Sequence, residues 1–148
     1  MADINAVANT AEIALSAGVI KTVLQIVAAT NHKIKVKSWG VFFDGISVTA
    51  EPVQVRLLRQ TSAGTMTGLT PVKRGTDSET LLTTAQHTAT AEPTAGDVMA
   101  AREVHPQSGY QEIFPMGDEV KIAGGGRVGI ECTAPASVNV RAEIVFEE

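Results

Sequence analysis

The residues in this chain that could do chemistry are few and scattered. Its three histidines, His32, His87 and His105, stand far apart, and nothing pairs them at the spacing a zinc-type site needs. Asp118-Glu119 and Glu147-Glu148 are adjacent carboxylate pairs. Neighbours on a strand point to opposite faces, so neither pair converges on a substrate by itself. The loop oxygens of Asp44, Asp118 and Glu119 lack the ligand-rich spacing of a calcium loop. No serine sits in a G-x-S-x-G elbow, where a strained turn would expose a nucleophile. Cys132 is the single cysteine; it lies on the apolar parity of its run, with no cue of a basic partner, and reads as a small core residue. Gly124-Gly125-Gly126 could suggest a phosphate cradle, but a cradle needs a helix N-terminus after the glycines. A strand follows instead, so the triplet reads as a tight turn between residues 120–123 and 127–134. Trp39 and Tyr110 could stack on a sugar, yet two aromatics far apart in sequence read as core or interface filler. No catalytic residue, metal ligand or cofactor site is assigned.

The elements that would position these residues are strands. Val128, Ile130 and Cys132 alternate with Arg127, Gly129 and Glu131, and Val138, Val140, Ala142, Ile144 and Phe146 alternate with Asn139, Arg141 and Glu143. A period of two is what a half-buried strand requires. The short Pro-containing break at residues 134–137 predicts that these two runs pair antiparallel with each other. At 148 residues the chain forms one domain, long enough to bury a core without disulfides or metal. Aromatics are 4%, so that core is built from Val, Ile, Leu and Ala. The net charge is −4 and Lys and Arg never cluster beyond a pair, which leaves no electrostatic footprint for nucleic acid. Residues 6–29 are apolar-rich, but Asn9, Glu12, Lys21 and Gln25 interrupt them and no basic residue precedes them. Neither a signal peptide nor a membrane span is expected, and synthesis in a cytoplasm is.

Along the chain, residues 1–12 are expected to form a mobile N-terminal arm and residues 13–148 a single sandwich domain. The run 19–29 is apolar on both parities, Val23 and Val27 on one and Leu24 and Ile26 on the other, so both its faces should be covered. In the run 33–43, Lys33, Lys35 and Lys37 share a parity that then becomes Trp39, Val41 and Phe43. Either a bulge near Ser38 flips the register, or one face passes from water into a contact with another copy; the second is preferred here. Residues 53–60 alternate again. Residues 61–97 turn rich in Thr, Ala, Gly, Ser and Pro, a long connection with one strand expected near residues 81–90. Further strands are expected at residues 98–104 and 110–114. About eight short antiparallel strands with turn signals and no amphipathic helix predict an all-β sandwich, with the jelly roll as its specific form.

Two stretches carry a family resemblance. Met116-Gly-Asp-Glu-Val-Lys-Ile-Ala-Gly-Gly-Gly-Arg-Val-Gly-Ile-Glu-Cys-Thr-Ala-Pro135, followed by Val138-Asn-Val-Arg-Ala-Glu-Ile-Val-Phe-Glu-Glu148, resembles the closing half of small structural proteins encoded beside capsid genes in tailed bacteriophages. Residues 33–43 with their Asp-Gly turn and residues 53–59 are similar to the earlier half. The resemblance spans residues 19–148 and implies a jelly-roll subunit, trimeric, that decorates or cements a capsid shell, with no catalytic residues and no cofactor. On this reading the partners are other copies of the chain and a major capsid protein, with no nucleic acid and no membrane, and the location is the virion surface. Self-association is assigned to Val23, Leu24, Ile26, Val27, Trp39, Val41 and Phe43, and capsid contact to Asp3, Ile4, Val7 and Glu12. A reading of another class is a receptor- or carbohydrate-binding module, a fibre tip or lectin, using the polar loops at residues 65–80 and 105–110.

Overall fold

A computed structural model describes residues 3–46, 50–76 and 78–148. Among them there is no helix. The strands are β1 (Asn5–Asn9), β2 (Ile13–Leu15), β3 (Ile20–Val27), β4 (Ile34–Phe43), β5 (Val53–Gln60), β6 (Thr65–Leu69), β7 (Val72–Lys73), β8 (Thr84–Ala91), β9 (Ala95–Val104), β10 (Gly109–Ile113), β11 (Val120–Ile122), β12 (Arg127–Thr133) and β13 (Val138–Glu147). They form two antiparallel sheets. The first has the order β10-β4-β13-β1-β7, with β11 continuing beside β4 and β2 beside β13; the second has the order β6-β8-β3-β12-β5-β9. The predicted β-sandwich is what forms.

The pairing is nested. β1 pairs β13, β3 pairs β12, β4 pairs β10 and β11, and β5 pairs β9. The chain therefore winds as one long hairpin folded over on itself. Strands β6, β7 and β8 are inserted between β5 and β9. β8 extends the second sheet beyond β3, β6 lies outside β8, and β7 caps the first sheet beside β1. The Thr-rich connection thus holds three strands, where one was expected. In β8 Thr84, Thr88 and Thr90 share one parity and Ala85, Ala89 and Ala91 the other, and the small alanines give too little apolar area for a clear alternation.

Two expectations about pairing need correction. The closing runs β12 and β13 do not pair with each other: β12 lies between β3 and β5 in one sheet, and β13 lies between β4 and β1 in the other. Alternation specifies which face a side chain takes, not which strand lies beside it, so residues 134–137 cross between sheets instead of closing a hairpin. The glycine turn does the same at the other end. Gly125 is left-handed (φ 77°), Gly126 N–H donates to the Ala123 carbonyl at 2.9 Å, and a Cβ on Gly124 would strike the Thr30 carbonyl.

The irregularity in β4 is a bulge. Phe146 lies opposite Val36 and Val145 opposite Ser38, which makes Lys37 the extra residue. Ile34 and Val36 before the bulge, and Trp39 and Val41 after it, therefore all face inward with no exposure, and Phe43 joins them at 9%. The preferred alternative, a face shared with another copy, is not what these residues form. β3 has a similar bulge: Leu24 lies opposite Ile130 and Thr22 opposite Glu131, so Val23 is the extra residue and turns into the core with Leu24 and Ile26. The expected arm is also a strand. Ile4, Ala6 and Ala8 are buried, and β1 is paired on both sides. Thr10 marks a bulge between β1 and β2; its N–H donates to the Ala142 carbonyl at 2.9 Å, and its hydroxyl accepts from the Ala142 N–H at 3.0 Å. Met1 and Ala2, the start of that arm, lie outside the described residues.

Candidate functional site

Three polar networks hold the sandwich, and an apolar row lies on its outside. At the open side between β9 and β10, Trp39 Nε1 donates to Glu112 Oε2 at 3.1 Å, and its ring lies 5.5 Å from that of Tyr110. Arg102 Nε donates to the Tyr110 hydroxyl at 2.9 Å, its Nη2 reaches Glu112 Oε1 at 3.4 Å, and its guanidinium covers the Tyr110 ring at 5.5 Å. The two aromatics do meet. Trp39 is fully buried and Arg102 sits on the Tyr110 ring, so the pair closes the sandwich edge instead of offering a stacking platform.

The second network follows from the β4 bulge, which leaves Lys35 and Lys37 on the outer face of the first sheet. Lys35 Nζ lies 2.9 Å from Glu147 Oε1. Lys37 Nζ lies 2.8 Å from Glu147 Oε2 and 3.2 Å from Glu119 Oε1. Hydrogen bonds from Lys37 and Lys35 hold the Glu147 carboxyl down to about 2, and Glu147 in turn raises both lysines above their ordinary range. Backbone N–H groups of Glu119 and Gly117, with Lys37 behind them, lower Glu119. Sequence spacing placed Glu119 and Glu147 apart; the fold brings both to one lysine. Glu148, on the opposite parity, turns the other way and accepts from the N–H groups of Leu82 at 3.0 Å and Thr83 at 2.6 Å, fastening the inserted segment to β13.

The third network lies on the outer face of the second sheet. Gln25 Nε2 donates to Gln60 Oε1 at 2.7 Å and to the Ser62 carbonyl at 3.2 Å, while Gln60 Nε2 donates to Thr22 Oγ1 at 3.0 Å. Glu92 closes it by accepting from Thr22 Oγ1 at 2.6 Å and from Thr22 N–H at 2.9 Å. Gly129 lies beneath it, and a Cβ there would push the Gln60 amide aside. This network makes the outer face of β3 polar, where two apolar faces were expected, because the bulge turns Val23 into the core with Leu24 and Ile26. Arg56 and Glu131 pair on the same sheet.

Cys132 is buried, and burial pushes its thiol well above the ordinary range, with Glu131 adding to the effect. His32 lies 3.6 Å from Glu148, His87 Nδ1 meets Thr88 Oγ1 at 2.9 Å, and His105 Nδ1 accepts from Gln107 N–H at 3.1 Å. Among the described residues, no three His, Cys, Asp or Glu side chains group to hold a metal. Among the described residues, no helix is long and apolar enough to cross a membrane.

Of the residues assigned to self-association, Val23, Leu24, Ile26, Trp39 and Val41 are wholly buried in the chain's own core, Phe43 nearly so, and Val27 half-buried. The six buried ones have no surface to offer a second copy, so that assignment is corrected for them: they are the interior of the sandwich, and Val27 alone keeps partial exposure. Of the residues assigned to capsid contact, Ile4 is buried at 7% exposure, Val7 is half-buried, and Asp3 and Glu12 are exposed. The apolar surface lies elsewhere. Ile113, Ser38, Val145, Val7 and Val72 fall in one cross-strand register over the outside of the first sheet. Val145 and Ser38 are buried in the middle of that row, and Ile113 and Val72 are exposed at its ends at 72% and 63%. The consecutive apolar residues Ile144-Val145-Phe146 were the signal for it, since one of three neighbours must face outward.

No protein-family model, curated protein or solved structure matches this chain.

Proposed function

We propose that this chain is a non-enzymatic virion structural protein that decorates and stabilises a tailed-phage capsid as an oligomeric jelly-roll subunit. The observation that carries the reading is the nested pairing β1–β13, β3–β12, β4–β10 and β5–β9. A double-sheet jelly roll is wound this way, and a jelly roll is the fold that the capsid-gene resemblance implies. Fold alone does not assign function, so the surface must supply the rest. The cross-strand row ending in Ile113 and Val72 offers apolar area on a face whose neighbouring carboxylates are already paired with lysines. The subunit binds across capsomer junctions and adds buried area there, and many weak contacts on one closed shell sum to a strong one. Asp3, Val7 and Glu12, on the same side of the molecule as that row, remain candidates for the capsid contact. Copies associate as a trimer on the resemblance, through outer surfaces and not through Trp39 or Leu24.

Co-sedimentation with undecorated shells of the virus that encodes the chain tests this. The wild type is expected to pellet with the shells. An Ile113→Asp, Val72→Asp double variant, which leaves the core intact, should stay in the supernatant. Wild-type protein that remains in the supernatant at every concentration overturns the reading.

A further inference from the structure

We infer that the free edge of β6 is a self-pairing surface, on which a second copy of this chain lays its own β6 antiparallel about a two-fold axis at Thr67. The inference stands on this edge alone and does not depend on shell binding.

β6 is the terminal strand of the second sheet, bonded to β8 on one side only. An open strand presents unpaired N–H and C=O groups, and proteins guard such edges with charge, proline, bulges or brevity. The other outer strands are guarded. β9 carries Asp97, Arg102 and Glu103; β10 carries Glu112; β7 has only two residues, and β2 and β11 have three each. β6 reads Thr-Met-Thr-Gly-Leu, and no Asp, Glu, Lys or Arg occurs anywhere from Gln60 to Val72. Thr65, Thr67 and Gly68 are exposed.

The occupant follows from self-complementarity. At a two-fold axis every side chain near the centre faces its own kind, so any charge there would repel itself; β6 has none. With Thr67 opposite its own copy, Met66 stands opposite Gly68 and Thr65 opposite Leu69. Gly68 has open space where a Cβ would be, with nothing within 4 Å, and a facing Met66 fills it. Thr–Thr pairs are favourable across antiparallel strands. The six-stranded sheets of two copies then become one continuous sheet. The contact joins copies in pairs, so on a shell it would link one subunit cluster to the next.

Thr67→Cys tests the register. Directly opposed residues have Cα atoms about 4.5–5.5 Å apart, within the roughly 4.4–6.8 Å span of a disulfide. Cys132 is buried and contributes no background. Mild oxidation of native Thr67→Cys protein should give a covalent dimer in most copies, and Ala101→Cys on β9 should not. Thr67→Lys, which places like charges at the axis, should halve the native mass that the wild type shows. A Thr67→Cys protein that crosslinks no better than Ala101→Cys, or a native mass unmoved by Thr67→Lys, overturns the inference. Shell co-sedimentation of the same Thr67→Lys protein reports on the capsid reading separately.

Discussion

The nested frame and the inserted segment are built from the same kind of strand but held in opposite ways. In the frame, β3, β4, β12 and β13 bury both apolar faces and polar networks. Trp39, Leu24 and Ile130 lie inside, while Lys35, Lys37 and Glu147 or Thr22, Gln25 and Gln60 lie outside. In the insertion, β6 and β8 have no charge and touch the frame through few fixed points. β8 pairs β3 only from Thr84 to His87, Glu92 grips Thr22, and Glu148 grips residues 82 and 83. At Thr88 the backbone turns left-handed (φ 55°), and past it β8 pairs with β6 alone. The difference separates two parts: the frame specifies one fold, and the insertion carries the open edge on which the proposed self-pairing rests.

Breaking the frame should cost most. Trp39→Ala empties the largest buried side chain and removes the donor to Glu112 Oε2, and we expect a loss of about 3–5 kcal/mol in denaturant unfolding. A loss below about 1 kcal/mol would mean that the frame does not depend on its interior as described. Gly129→Ala should cost about 1–3 kcal/mol by displacing Gln60 from its partners. Adding Gln60→Ala removes the collision, so the double variant should lose less than the two single losses summed; simple additivity would contradict the contact.

The Glu147 network should show in acid. Its carboxyl is held to about 2 against an ordinary 4.5, so ionised Glu147 stabilises the fold above about pH 4.5, and that contribution drains away as pH falls towards 2. Glu147→Gln should cost on the order of 1–2 kcal/mol at neutral pH, allowing for solvent around the lysines, and should flatten the stability slope between those pH values. An unchanged acid limb would exclude the network as a source of stability. The smallest effect belongs to the insertion. Thr88→Gly relieves a left-handed threonine and should stabilise by less than about 1 kcal/mol, with slowed amide exchange confined to β6 and β8.

Much of the fold was legible because alternation reports faces directly. Strands β3, β4, β5, β12 and β13 lie where residues 19–29, 33–43, 53–60, 127–134 and 138–146 placed them. What alternation cannot report is a strand's neighbour. β12 and β13 therefore looked like a hairpin, and an interior shared between copies could not be told from a private one at Leu24 or Trp39. The lysine parity of β4 held the right clue, a bulge near Ser38, and the choice between bulge and interface needed the partner strand β13 to decide it. The convergence of Glu119 and Glu147 on Lys37 joins residues far apart in sequence, and no spacing rule reaches that far. β6 was missed because Thr, Met and Gly give no apolar stripe.

The most direct test of a subunit made to associate through its surface is the native mass of the purified 15.5 kDa chain at micromolar concentration. A discrete assembly of two or more copies is predicted. A single 15.5 kDa species at every concentration would contradict it.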